Sequence, residues 1–107
     1  MDVETLAALE GSIEKWERIV AGTGHDGGTT NCPLCQRFLM STGTCAGCPV
    51  SQKTKSLGCF ESPYARWVEF RKDHGNVRAI SDFPEDAQIE ATRLAQAELD
   101  FLKGLLP

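Results

Sequence analysis

Between residues 31 and 59 the chain reads NCPLCQRFLMSTGTCAGCPVSQKTKSLGC, a stretch that holds all five of its cysteines and no acidic side chain. The spacing is Cys32-x2-Cys35-x9-Cys45-x2-Cys48-x10-Cys59. Two C-x-x-C pairs this close together point to metal. One turn of backbone between paired cysteines presents two thiolates as neighbouring corners of a tetrahedron, and Zn²⁺ takes four such ligands at about 2.3 Å. Pro33 and Gly47 suit the tight turns, while Arg37, Lys53 and Lys55 would offset the negative charge that four thiolates leave around one divalent ion. Five sulfurs exceed four positions. One set is Cys32, Cys35, Cys45 and Cys48. A rival set replaces Cys45 with Cys59, which lies just ahead of a helix start at Ser62, where the helix dipole favours thiolate. His25 is a more distant donor. A closed all-cysteine site is normally structural, so a zinc staple is the leading expectation. An iron–sulfur cluster is the alternative, because cysteine followed by proline, as at Cys32 and Cys48, also occurs in ferredoxin-type ligation. Redox chemistry of the thioredoxin type ranks lower, since no strand pattern precedes either pair.

Little else in the sequence is equipped for chemistry. His25-Asp26 and His74 have no nucleophile with a plausible base nearby and no paired carboxylates, so they read as solvated loop and helix-end residues, and no catalytic activity is expected. His74 fits as a partner for a helix C-terminus. Lys53, Lys55, Arg66, Arg71, Lys72 and Arg78 would serve as a phosphate-binding face, with Tyr64 or Trp67 available for stacking on bases. The competing expectation is that these cations neutralise thiolates and pair with acidic arms, and that Trp16 and Trp67 anchor the core.

The elements that must position these residues are mostly helical. Leu6, Leu9, Ile13, Trp16 and Val20 recur at spacings of three and four, which predicts a helix over residues 1–22. Gly11-Ser12 weakens its middle: either the helix runs through at the cost of a glycine, or a new one begins with Ser12 as N-cap. Residues 21–30 contain four glycines and read as a loop. Residues 31–60 form the cysteine module, expected as zinc-knuckle loops. Residues 62–74 predict a short helix with Ser62 as N-cap, Pro63 as first helical residue and Gly75 as its left-handed stop. Tyr64, Trp67, Val68 and Arg71 share one face of it, leaving Arg66, Glu69, Lys72 and Asp73 in water. Residues 83–104 predict the last helix, opened by a capping box of Asp82 and Glu85 with Pro84 in the first turn. Ala91, Leu94, Ala95, Leu102 and Leu105 line one side of it, and Leu99, Phe101 and Leu106 widen that stripe. The expected architecture is one domain of mostly α class, with two longer helices clasping the cysteine module and a short helix.

A chain of 107 residues supports one small core, which a metal would supplement. Acidic residues occupy the N-terminal stretch where an export signal would carry lysine or arginine, and no apolar run approaches the roughly 18 residues of a membrane span. A cytoplasmic location is expected, where thiols stay reduced and clustered cysteines more often hold metal than disulfides. The net charge of −4 argues against a generic nucleic-acid binder. It also conceals a pattern: residues 1–30 carry six acids against two bases, residues 31–80 three against seven, and residues 81–107 six against two. A basic centre lies between two acidic arms, and acidic helices of this kind would suit a partner with a basic groove, although surface acid by itself ordinarily serves solubility.

In order along the chain, SIEKWERIVAG, NCPLCQRF, CAGCPV, the cysteine at 59 and SPYARW resemble small cysteine-rich proteins encoded by tailed bacteriophages and prophages. The resemblance covers residues 12–67, and FLKGLLP near the C-terminus is similar in character. That family has no assigned biochemical activity, so the resemblance implies phage origin and a shared five-cysteine arrangement, with Cys59 as a ligand. For a phage-type protein it implies action in the cytoplasm of a bacterial host by binding a host protein, including a component of antiviral defence. The alternative is a nucleic-acid-binding zinc protein that uses the basic centre, and an iron–sulfur or redox protein comes third.

Overall fold

The N-terminal helix, α1, covers Val3–Val20 and starts where Asp2 accepts the Thr5 backbone N–H at 2.7 Å, satisfying one of the donors a helix start leaves open. The computed structural model describes residues 1–56, 59 and 61–107. Leu57, Gly58 and Phe60 of the expected cysteine module lie outside the described residues. α1 runs through Gly11-Ser12 without a break. The reason lies in its packing. A Cβ on Gly11 would stand 3.0 Å from Pro33 Cγ, and the buried Ser12 Oγ accepts the Leu34 backbone N–H at 3.4 Å. The pair that weakens the helix in isolation is where the cysteine segment sits against it. The buried face includes Leu9, Ile13, Trp16 and Ile19; Val20, expected inside, is only half-buried.

The cysteine module is more helical than the expected knuckle loops. α2 (Pro33–Arg37), α3 (Leu39–Thr42) and α4 (Pro49–Thr54) are short, and both α2 and α4 begin in the same way. Cys32 and Cys48 are the N-cap residues, with extended backbone, and each is followed by proline at the first helical position. Proline belongs there because its fixed φ suits the helix and its missing N–H had no intrahelical acceptor. Each Cys-Pro step is therefore a helix start.

α5 spans Tyr64–Asp73. Ser62 is one residue further out than expected, with Pro63 at the N-cap position, yet the Ser62 hydroxyl still accepts the Tyr64 N–H at 3.3 Å and donates to the Cys59 carbonyl at 2.8 Å. Gly75 at φ +78° ends the helix and lets the Asn76 N–H reach back to the Arg71 carbonyl at 2.8 Å, a Schellman closure. The His74 Nδ1–H donates to the Phe70 carbonyl at 2.8 Å, in keeping with its expected place at the helix end.

The last helix, α6, spans Glu85–Lys103. The expected Asp82–Glu85 capping box does not form. Asp82 belongs to a 3-10 turn, Ile80–Asp82, and Pro84 occupies the N-cap position without a side-chain cap. α6 packs along α1 and against α5, burying Ala87, Ala91, Ala95, Leu99 and Leu102. The run of alanines lets the two long helices approach closely. Trp67 is fully buried between Trp16, edge-on at 5.4 Å, and Phe83 at 5.8 Å. The protein is mostly α-helical, with no strand among the described residues. Among the same residues, no helix is long and apolar enough to cross a membrane.

Candidate metal centre

The five cysteines come from three places: Cys32 and Cys35 at the start of α2, Cys45 and Cys48 before α4, and Cys59 before α5. The fold brings all five to the wall of one partly enclosed cavity of about 40 Å³. Leu34, Phe38 and Val50 from the cysteine module, Trp16 from α1 and Leu102 from α6 give it an apolar surround. No pair is joined as a disulfide; all five are free thiols. Cys59 lines the wall as Cys45 does, so placement in the cavity does not choose between the two four-cysteine sets.

Electrostatics in the cavity centre on Cys32. The Cys35 thiol donates to its sulfur and the Cys35 backbone N–H lies 3.2 Å from it, which together draw Cys32 down to about 6. The same hydrogen bond, reinforced by burial, pushes Cys35 far up. Burial also raises Cys48 and, with the Glu98 carboxylate nearby, lifts Cys59 to about 12. The free protein thus gathers one ready thiolate and several protonated thiols.

Glu98 is the residue that sequence reasoning missed. It projects from α6 into the same cavity and is only 4% exposed. Its Oε1 is one of two buried side-chain polar atoms without a hydrogen-bond partner among the described residues. Burial, followed by the Cys32 thiolate, raises its pKa to about 8. A signal for it exists in the sequence: Glu98 interrupts the apolar stripe of Ala91, Ala95, Leu99 and Leu102, where a carboxylate is costly without a partner.

Among the described residues, no three or more His, Cys, Asp or Glu side chains are placed to hold a metal ion together. The sulfurs line a common wall and do not converge on one point. Their chemistry nonetheless fits a divalent ion: soft thiol donors, an unpartnered buried carboxylate oxygen, an apolar surround, and a volume above the roughly 10–15 Å³ that one water requires. Zn²⁺ bound here would join α2, the start of α4 and the segment before α5, adding binding energy to a small core.

The other expected site residues are arranged differently. Asp26, expected in solvent, is fully buried and accepts five hydrogen bonds at its carboxylate. Its Oδ1 accepts Lys15 Nζ at 2.8 Å and the Gly28 N–H at 3.0 Å; its Oδ2 accepts the Tyr64 hydroxyl at 2.9 Å, Trp67 Nε1 at 3.0 Å and Arg71 Nη1 at 3.3 Å. Burial alone would raise this carboxyl, but the Lys15 charge and the donated hydrogen bonds outweigh it and hold Asp26 below its ordinary value. This constellation takes four residues from the expected nucleic-acid face. Arg71 is buried against Asp26, Arg78 Nη1 donates to the Asp26 carbonyl at 2.8 Å, Trp67 is fully buried and Tyr64 is tied by its hydroxyl. Lys53, Lys55, Arg66 and Lys72 remain exposed, as does Arg78 despite its bond to the Asp26 carbonyl. Arg37, expected to offset thiolate charge, points to the start of α1, where it meets Thr5, Glu4 and Asp2. His25 lines a separate open groove beside α1 with Arg18 and Asn31, away from the thiols.

Comparison with protein-family models, curated proteins and solved structures finds no match to this chain.

Proposed function

We propose that this is a zinc-stapled, phage-type accessory protein that works without catalysis, by binding a host protein in the bacterial cytoplasm, as an inhibitor of that protein or of an antiviral defence component. The observation that carries the reading is that five thiols from three chain segments line one cavity beside a buried carboxylate with an unpartnered oxygen. That arrangement supports a metal staple within a small core. Zn²⁺ held by Cys32, Cys35 and Cys48 with Cys45 or Cys59 would supply cross-linking energy, which is what a closed thiolate site provides.

Binding to a protein is favoured over binding to nucleic acid because the chain carries a net charge of −4 and three of its arginines are engaged with its own groups. Arg71 and Arg78 serve Asp26 and Arg37 serves the start of α1, while Glu10, Glu14 and Glu17 on α1 and Glu85, Asp86 and Asp100 on α6 are exposed. α1 and α6 lie side by side, and although Glu14 pairs with Arg18 and Glu17 with Lys103, their exposed acids are the groups that would meet a basic partner. The resemblance of residues 12–67 to phage-encoded proteins supports the host as the source of that partner.

Elemental analysis and an absorption spectrum of protein purified without oxygen test the staple. One zinc per chain and a colourless solution are expected, whereas iron with a visible charge-transfer band would replace the zinc reading with a cluster. A stable complex with a purified host protein, lost when Glu10, Glu14 and Glu17 are changed to lysine, would support the binding role. Steep salt-dependent association with DNA or RNA would overturn it.

A further inference from the structure

We propose that Glu98 is itself a ligand of the metal, donating its unpartnered oxygen from α6, so that the ion takes three of the five thiols and one carboxylate. The inference rests on the zinc reading above and changes its ligand set. A glutamate 4% exposed, with Oε1 unpartnered among the described residues, stands in a cavity lined by all five thiols and by the Ser12 and Ser51 side chains. Partnerless buried oxygens are rare because desolvation is costly, and an ion is one of the few groups that resolves such a case. Among the described residues no cationic side chain lines this cavity, and Lys15 on α1 is engaged with Asp26 at 2.8 Å. Carboxylate oxygen is an ordinary zinc donor at about 2.0–2.2 Å beside sulfur at about 2.3 Å. The consequence is architectural. Three thiolates alone would tie together the cysteine segments, whereas Glu98 carries the staple across to α6, the helix that packs along α1.

X-ray absorption at the zinc edge of the full chain, together with zinc affinity from competition with a chromophoric chelator, decides the matter. The wild type is expected to show one oxygen shell and about three sulfurs, and Glu98→Gln to bind Zn²⁺ at least about tenfold more weakly. Glu98→Asp, which keeps the carboxylate, should recover part of that loss. A sulfur-only shell in the wild type overturns the proposal, as does unchanged affinity in Glu98→Gln, and in both cases the zinc staple stands. A wild type that binds no Zn²⁺ overturns the staple and this ligand assignment together. If Glu98→Gln does not fold, the wild-type shell alone decides.

Discussion

Asp26 shows how much one side chain can organise. It is a loop residue followed by two glycines, the usual description of something solvated, yet it is buried and meets two cations and three neutral donors. Removing its charge leaves Lys15 and Arg71, each under 10% exposed at the side chain, without a counter-ion. Breaking one partner out of a buried ion pair costs about 3–5 kcal/mol, so Asp26→Asn should be destabilised by roughly 3 kcal/mol in urea unfolding at pH 7. The pH dependence has a definite sign. Because the folded carboxyl sits below its ordinary 3.8, its stabilisation is complete above that value and is lost as the pH falls through the folded one. The gap between wild type and Asp26→Asn should therefore narrow toward pH 3. A gap that is unchanged with pH would show that the charge is not what matters.

At the level of elements, Gly11 and the two Cys-Pro steps show where sequence patterns fall short. α1, α5 and α6 were legible from periodicity and from punctuation such as Gly75, because those signals are local. The capping box at Asp82 was also a local pattern, but an adjoining 3-10 turn competes for the residue and wins. Gly11 cannot be interpreted without its neighbour. Helix propensity alone says that replacing it with leucine gains about 1 kcal/mol. With Pro33 Cγ 3.0 Å from where a Cβ would sit, Gly11→Leu should instead lose about 1–3 kcal/mol by pushing α2 away. A thermal melt gives the sign directly, and a raised midpoint would mean that α2 yields without cost. The cysteine segments carry a parallel prediction. Cys35→Ser and Cys48→Ser should each purify without stoichiometric zinc and lose cooperative melting, because metal binding is folding energy in such a site. Normal melting of either variant would remove the staple.

Over the whole molecule, the distribution of charge bears on partners. Of six cations that the sequence offers to a phosphate backbone, Lys53, Lys55, Arg66, Lys72 and Arg78 are exposed, the last with Nη1 bonded to the Asp26 carbonyl, while Arg71 is buried against Asp26. Any association of this face with duplex DNA should then show a slope of log K against log salt no steeper than about −5, at roughly −0.9 per phosphate contact. A steeper slope in a filter-binding titration would mean that the Asp26 constellation opens to release Arg71. By itself the sequence determined the helical class, the two longer helices and the short one between them, the cysteine spacing and the arms of acid around a basic centre, because each is carried by residues near one another in the chain. Only the tertiary structure decided that Asp26 is a buried hub, that Gly11 is a point of contact, and that Glu98 faces the thiols. Glu98 is 39 residues from Cys59 in the numbering and Asp26 is 45 from Arg71. Pairings at that range are set by how α1, α5 and α6 pack, and only then does a buried charge acquire the neighbours that give it a purpose.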